Sequence, residues 1–328
     1  MRRREFLGVL GGTAVLGPLA ARAQQSDKVR RIGALMGIAN DTLGKTYADA
    51  FQQGLRELGW TAGRNIRIDY AWASGAADMR QYARELMRSE PDALLAHGTP
   101  ATIALRQQTG KIPIVFVTVS DPLGNGLVSS LARPSENVTG FTNFEFSMAG
   151  KWIELLKEID SRLMRVVVIF NPQTAPYGPH YVQSIEAAAR SYGTEVVAAP
   201  VQDAGKLGSA ITAFASKPNG ALIVLPDIFN SANREMIISL AAEHRLLGIY
   251  GFSYYIRAGG LISYGADQTD LFRRSASYID RLLKGANVGD LPIQQPTKFE
   301  MVINVKTAKT LGLEIPPTVL ARADELIE

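Results

Sequence analysis

The stretch Ala93-Leu94-Leu95-Ala96-His97-Gly98-Thr99-Pro100-Ala101-Thr102 decides the architecture. Its apolar opening, Ala93–Ala96, is too short for a helix and reads as a buried strand. The turn chemistry that follows opens a helix. Gly98 lets backbone approach closely, and Thr99 is placed to cap a helix whose first residue is Pro100. A strand apolar on every side needs cover on both faces, which implies a parallel sheet between helices. The free N–H groups at such a helix start suit a carboxylate, so the turn reads equally as a plain cap or as an anion site.

The same unit recurs in both directions. Upstream, Arg31–Met36 is a strand, and Tyr47, Phe51, Leu55 and Leu58 form one apolar helical stripe that Gly59 ends. Ile66–Ala73 alternates as a half-exposed strand, Met79–Met87 is helical, and Ile112–Val119 is a further strand opened by Pro113. Downstream, strands are predicted at Arg165–Phe170, Glu195–Val201, Ala221–Leu225 and Leu247–Phe252. Helices are predicted at Tyr181–Tyr192, Lys206–Ser216 and Asn230–His244. About ten strands in 328 residues fit two sheets of about five better than one of ten. The boundary falls near Val138–Asn143, and Lys151–Ile159 opens the second half. Two doubly wound lobes create a cleft, with ligand expected at the carboxyl ends of the strands.

Composition agrees: 46% hydrophobic and 20% charged residues are those of a globular chain. Zero cysteines exclude disulfides, thiolate catalysis, iron–sulfur clusters and a lipid-anchored cysteine. The formal charge is +4, but Arg2, Arg3, Arg4 and Arg22 against Glu5 account for most of it. The remainder, 31 basic and 30 acidic residues, leaves no electrostatic footprint for nucleic acid. Residues 1–23 read as a signal peptide: a basic start, an apolar run Phe6–Ala20, and the cleavage pattern Ala21-Arg22-Ala23. The paired arginines before Glu5-Phe6-Leu7 resemble a twin-arginine (Tat) export signal. The expected mature protein starts at Gln24 and is soluble in the periplasm. Export excludes a transcription factor and argues against nucleotide-driven chemistry.

Segments spread along the chain carry a family resemblance. They include Gly54-Leu55-Arg56-Glu57-Leu58-Gly59-Trp60, His97-Gly98-Thr99-Pro100-Ala101 and Ser120-Asp121-Pro122. Asn137-Val138-Thr139-Gly140, Ala258-Gly259-Gly260-Leu261-Ile262-Ser263-Tyr264-Gly265 and Leu291-Pro292-Ile293-Gln294-Gln295-Pro296-Thr297-Lys298-Phe299 add to it. In this order they resemble the substrate-binding proteins of ABC transporters, tryptophan/tyrosine type, a branch of the type I periplasmic binding protein fold. The resemblance implies two Rossmann-like lobes hinged by three crossing segments, at Val138–Asn143, Leu261–Ala266 and Gln294–Ile303. Lobe 1 would then comprise residues 29–140 and 266–293, and lobe 2 residues 141–265 and 294–328. It also implies a monomer that captures a small molecule and hands it to ABC permease subunits in the membrane, with no cofactor. An aromatic amino acid is the ligand first suggested, and another small carboxylate the second.

Candidate ligand-binding residues cluster after strands. Gly98, Thr99 and Pro100 form the first group; Ser120 could donate to an anion, beside Asp121, a cap or turn residue; Asn40 and Asp41 follow the first strand. Asp227 ends a buried strand and reads either as a partner for a ligand ammonium or as a helix cap. Thr142 and Asn143 lie at the first crossing, and Phe141, Phe144, Tyr177, Phe229, Phe252 and Tyr254 supply rings for stacking or for core packing.

Enzyme signatures are thin. His97, His180 and His244 have no zinc spacing, Gly251-Phe252-Ser253-Tyr254-Tyr255 lacks the second glycine of a nucleophile elbow, and no phosphate-binding loop occurs. No catalytic residue and no metal site are expected. A ligand sensor signalling to a membrane receptor and an exported hydrolase are the alternatives, since one fold serves several outputs.

Overall fold

The computed structural model describes residues 29–73, 76–134, 136–143 and 148–328. The expected signal peptide and Phe144 lie outside the described residues. The chain forms two three-layer α/β lobes, each built on its own sheet.

In the first lobe the strands are β1 (Arg30–Met36), β2 (Ile66–Trp72), β3 (Ala93–His97), β4 (Ile114–Val119) and β5 (Val138–Thr142). Their order is β2-β1-β3-β4-β5, with every pairing parallel. Strands β3, β4 and β5 are buried along their full length, as continuous apolar runs require. Helices α2 (Ala76–Met87) and α3 (Thr99–Arg106) cover one face. Helix α1 (Thr42–Glu57) covers the other together with α10 (Gln268–Leu283), which arrives from far along the chain. Gly54 permits this pairing: a Cβ there would lie 2.3 Å from the Arg273 carbonyl oxygen.

The second lobe contains β6 (Arg165–Phe170), β7 (Glu195–Pro200), β8 (Gly220–Val224), β9 (Leu247–Tyr250), β10 (Ile262–Ala266), β11 (Phe299–Asn304) and β12 (Glu325–Ile327). Their order is β12-β11-β10-β9-β8-β6-β7. Helices α4 (Met148–Ile159) and α5 (Gly178–Arg190) cover one face, with α11 (Val305–Leu311) and α12 (Pro317–Leu320) at its edge. The other face carries α6 (Ala204–Ala215), α7 (Ile228–Ala232), α8 (Arg234–Glu243) and α9 (Tyr254–Arg257).

Three details differ from the sequence reading. The described strands number twelve, because β5 and the late strands β10, β11 and β12 join the sheets. β11 runs antiparallel to β10, because the chain re-enters the second sheet after its excursion through α10. The helix expected at Asn230–His244 breaks at Asn233, whose side-chain amide donates to the Phe229 carbonyl at 2.8 Å and competes with helix continuation.

The chain passes between the sheets after β5, between β10 and α10, and before β11. The last passage is tied to the first: the Thr142 N–H donates to Gln294 O at 2.9 Å, and the Gln294 N–H to Gly140 O at 2.9 Å. Between the lobes these connections leave a cleft bordered by the carboxyl ends of β1, β3 and β4 on one side and β6, β8 and β9 on the other.

Candidate functional site

The cleft holds a cavity of about 50 Å³. Its first-lobe wall begins with the turn after β3. Gly98 takes φ +82° and is itself the N-cap of α3, so the helix starts at Thr99, one residue earlier than expected. The expected capping role of Thr99 is therefore corrected: no side chain caps α3, and the buried Thr99 borders the cleft with Pro100. Only glycine takes this backbone conformation without cost, which is why the cap moved.

Tyr47, read from sequence as part of an apolar stripe, stacks on Phe272 at 4.9 Å and turns toward the cleft. His97 meets both rings edge-on, at 5.9 Å from Tyr47 and 5.2 Å from Phe272. Burial lowers the His97 imidazole to about 4, so it is neutral at physiological pH. Burial likewise pushes the Tyr47 phenol upward, reinforced by the nearby Tyr254, Glu300 and Asp267. A register shift of β4 against β5 places Thr118 at φ +62° and on the cleft wall, the re-aiming a bulge produces.

The second-lobe wall is organised by Asp227. Its Oδ1 accepts from the Phe229 N–H at 3.0 Å and from Thr174 Oγ1 at 2.5 Å, and its Oδ2 from the Asn171 N–H at 2.8 Å. Asp227 is both the N-cap of α7 and a buried cleft residue, so the two sequence readings of it share one geometry. Burial raises its carboxyl to about 6 against the opposing effect of those three donors. Tyr177 donates its hydroxyl to the Pro226 carbonyl, and the hydroxyls of Tyr254 and Ser231 lie 2.6 Å apart. Phe252 stacks on Tyr254 at 5.3 Å, and Tyr254 on Tyr255 at 5.0 Å, so an aromatic column runs from the cleft into the lobe.

Of the sequence-predicted residues, the structure brings Gly98, Thr99, Pro100, Asn143, Tyr177, Asp227, Phe252 and Tyr254 to the cleft. The others lie beside it. Ser120 donates to Asn143 Oδ1 at 2.9 Å and so orients a cleft residue from behind. Thr142 donates its hydroxyl to Gln294 O at 3.2 Å, within the crossing. Phe229 packs into the second lobe's core, and Asn40 is exposed. Asp41 caps α1 by accepting from the Gly44 N–H at 3.0 Å, and Asp121 accepts from the Gly124 N–H at 2.9 Å.

Asp41 and Asp121 also reach across the cleft. Asp41 lies 4.0 Å from Arg234, and Asp121 3.3 Å from His180 Nδ1. The walls also approach directly: a Cβ on Gly98 would lie 3.8 Å from Ile228, the residue after Asp227. Sequence reasoning missed Tyr47, Thr118, Thr174, Ser231 and Gln268 as cleft residues. Tyr47 sits within a core stripe, and the others carry no local signal separating them from surface positions.

Among the described residues no group of three or more His, Cys, Asp or Glu side chains is placed to hold a metal ion. Nor is any described helix long and apolar enough to cross a membrane. Residues 31–327 match the family described as ABC transporter substrate binding protein. The tyrosine-binding protein of Clostridioides difficile (strain R20291) is 27% identical over 290 residues, covering 88% of this chain and 83% of that protein. The ABC domain from Streptococcus pneumoniae solved in complex with L-Trp superposes with a TM-score of 0.83 at 26% identity, covering 91% of this chain and 99% of that one. A conserved domain protein from Vibrio cholerae gives a TM-score of 0.84 at 29% identity, covering 91% of this chain and all of the other.

Proposed function

We propose, from the premise that this chain belongs to the ABC transporter substrate-binding protein family, that it captures an aromatic amino acid between its two lobes for an ABC importer. One observation carries the reading. The buried carboxylate of Asp227 stands on one wall of an aromatic-lined cavity and the start of α3 on the other, where a Cβ on Gly98 would lie 3.8 Å from Ile228, the residue after Asp227. An α-amino acid carries its ammonium and carboxylate on one carbon. It therefore needs an acceptor and a set of N–H donors this close together.

Asp227 would take the ammonium, through a charge-assisted bond. Thr99 and the free N–H groups at the start of α3 would take the carboxylate. The ring would lie between Tyr47 and His97 on one side and Phe252 and Tyr254 on the other. The relatives described as binding tyrosine and as bound to L-Trp support this ligand class.

The lobes, residues 29–140 with 266–293 and 141–265 with 294–328, would close about the three crossings, and ligand would favour closure only through contacts made in the closed form. The N-terminal pattern at residues 1–23 supports export, by the twin-arginine route, to the periplasm as a soluble monomer that delivers ligand to membrane permease subunits.

The test is a thermal-shift and calorimetric screen of the purified chain from Gln24 onward. The ligands are aromatic amino acids, their deaminated acids and aliphatic amino acids. Ligand at about 100 times its dissociation constant adds about 2.7 kcal/mol of stability. A response to aromatic amino acids alone is expected. A response only to acids without an amine would remove the ammonium role from Asp227, and silence across the panel would sink the ligand assignment.

A further inference from the structure

Of the buried side-chain polar atoms without a hydrogen-bond partner among the described residues, His97 Nδ1 alone belongs to a residue lining the cleft. Its neighbours there are satisfied: Tyr177 on Pro226, Tyr254 with Ser231, Thr174 on Asp227, and Asp227 with three donors. His97 is 9% exposed and held edge-on by Tyr47 and Phe272, so its orientation is fixed by packing. Leaving a buried nitrogen unpaired costs the full desolvation of that group with no bond in return. A cleft-lining residue that keeps such an atom recovers that cost when a ligand supplies the missing partner.

The chemistry of that partner follows from the surroundings. Burial is the cause that lowers the imidazole's basicity, with no charged neighbour contributing, so this corner disfavours charge. The ligand's charged groups have their own places at Asp227 and the start of α3. What remains for the Tyr47–His97–Phe272 corner is the ring, and a neutral imidazole with Nδ1 unprotonated accepts one hydrogen bond.

We propose that His97 is the specificity-determining residue of the cleft: its Nδ1 accepts a hydrogen bond from a donor carried on the ligand's ring, a phenol O–H or an indole N–H. The assignment rests on the reading of the cleft as an aromatic amino-acid site. Rings bearing a donor are then held in preference to a plain phenyl ring, which leaves the nitrogen unpaired.

The experiment is calorimetric titration of wild type, His97→Phe and His97→Gln with L-tyrosine, L-tryptophan and L-phenylalanine. Wild type is expected to bind tyrosine, tryptophan or both at least about tenfold more tightly than phenylalanine. His97→Phe narrows the gap to within about threefold by weakening the donor-bearing ligand and sparing phenylalanine, and His97→Gln restores part of it. Whichever of tyrosine and tryptophan loses affinity identifies the donor.

Equal losses for all three ligands would overturn the proposal and place His97 on the ligand's carboxylate. An unchanged preference would overturn it as well. Failure of wild type to bind any of the three would instead bring down the amino-acid reading, and this assignment with it. Ligand-free His97→Phe should melt at or above the wild-type temperature, since a ring of similar shape replaces an unpartnered nitrogen. Should that variant not fold, the tyrosine-to-phenylalanine ratio of His97→Gln decides.

Discussion

Asp227 caps a helix and lines the cleft, so on the proposed reading one side chain serves the fold and the site together. Its carboxylate caps α7 and ties that helix to the loop after β6 through Thr174 and Asn171. All three partners are neutral donors. They hold the anion in place without cancelling its charge, which leaves it available to a cation from the cavity. Burial lifts its carboxyl from 3.8 to about 6, so between those values the folded protein binds the proton more readily than the unfolded chain. In the empty protein this contribution therefore lowers stability as pH rises through that window. Binding of an ammonium has the opposite demand, because it requires the carboxylate. Affinity for an aromatic amino acid should be level above about pH 7 and weaken by up to about tenfold per unit below about pH 6. Asp227→Asn should cost more than about tenfold and abolish this pH dependence, while binding of deaminated acids is spared. Titration calorimetry across the range decides. A flat profile in wild type would separate Asp227 from the ligand.

At the scale of the element, the start of α3 is where the proposed reading has the cleft take an anion. The strand ends at His97, Gly98 turns the chain at positive φ, and the helix opens with Thr99 and Pro100. Because Gly98 caps through its backbone, the Thr99 hydroxyl is not consumed in holding the helix. Thr99→Val keeps the shape and removes the oxygen. It should therefore leave the melting temperature within a few degrees of wild type and weaken binding of a carboxylate ligand by about tenfold. A matched loss of stability and affinity would mean that the hydroxyl serves the fold instead. The α7–α8 break belongs to the same scale. Ending α7 at Ala232 lets α8 begin at Arg234, whose guanidinium then lies 4.0 Å from Asp41 on the other lobe.

For the whole molecule, the relevant geometry is two rigid lobes that meet across their cleft. Each has covered both faces of its sheet, so the walls are stiff and the three connecting segments are where motion can occur. The pairs Asp41–Arg234 and Asp121–His180 span the cleft at their separate points. Arg234 and His180 keep 30% and 56% of their side-chain surface exposed, so solvent screens both pairs. An exposed ion pair such as Asp41–Arg234 contributes about 0.2–1 kcal/mol, too little to hold the lobes together alone. Ligand should therefore shift the balance toward the compact form. Small-angle scattering is expected to record a smaller radius of gyration with ligand, and Arg234→Ala should weaken affinity by no more than about fivefold. A radius unchanged by saturating ligand would contradict capture by closure.

The sequence by itself determined what is local or periodic. Continuous apolar strands, helical stripes and strand-to-helix turns made the α/β class, the two sheets and the positions of Gly98, Asp227 and Tyr254 legible, because those signals lie within a few residues of each other. The return of α10 to the first lobe, tied by the close approach at Gly54, was legible only through resemblance, since nothing local says which sheet a helix covers. Tertiary structure alone decided that Tyr47, while part of its stripe, also borders the cleft, that Asp41 and Asp121 bridge to the opposite lobe, and that His97, a cleft residue, keeps an unpartnered nitrogen. Each of these depends on which groups from distant segments come to stand opposite one another. Burial, the same physical cause that sets the acidity of Asp227 and His97, exists only in the folded chain.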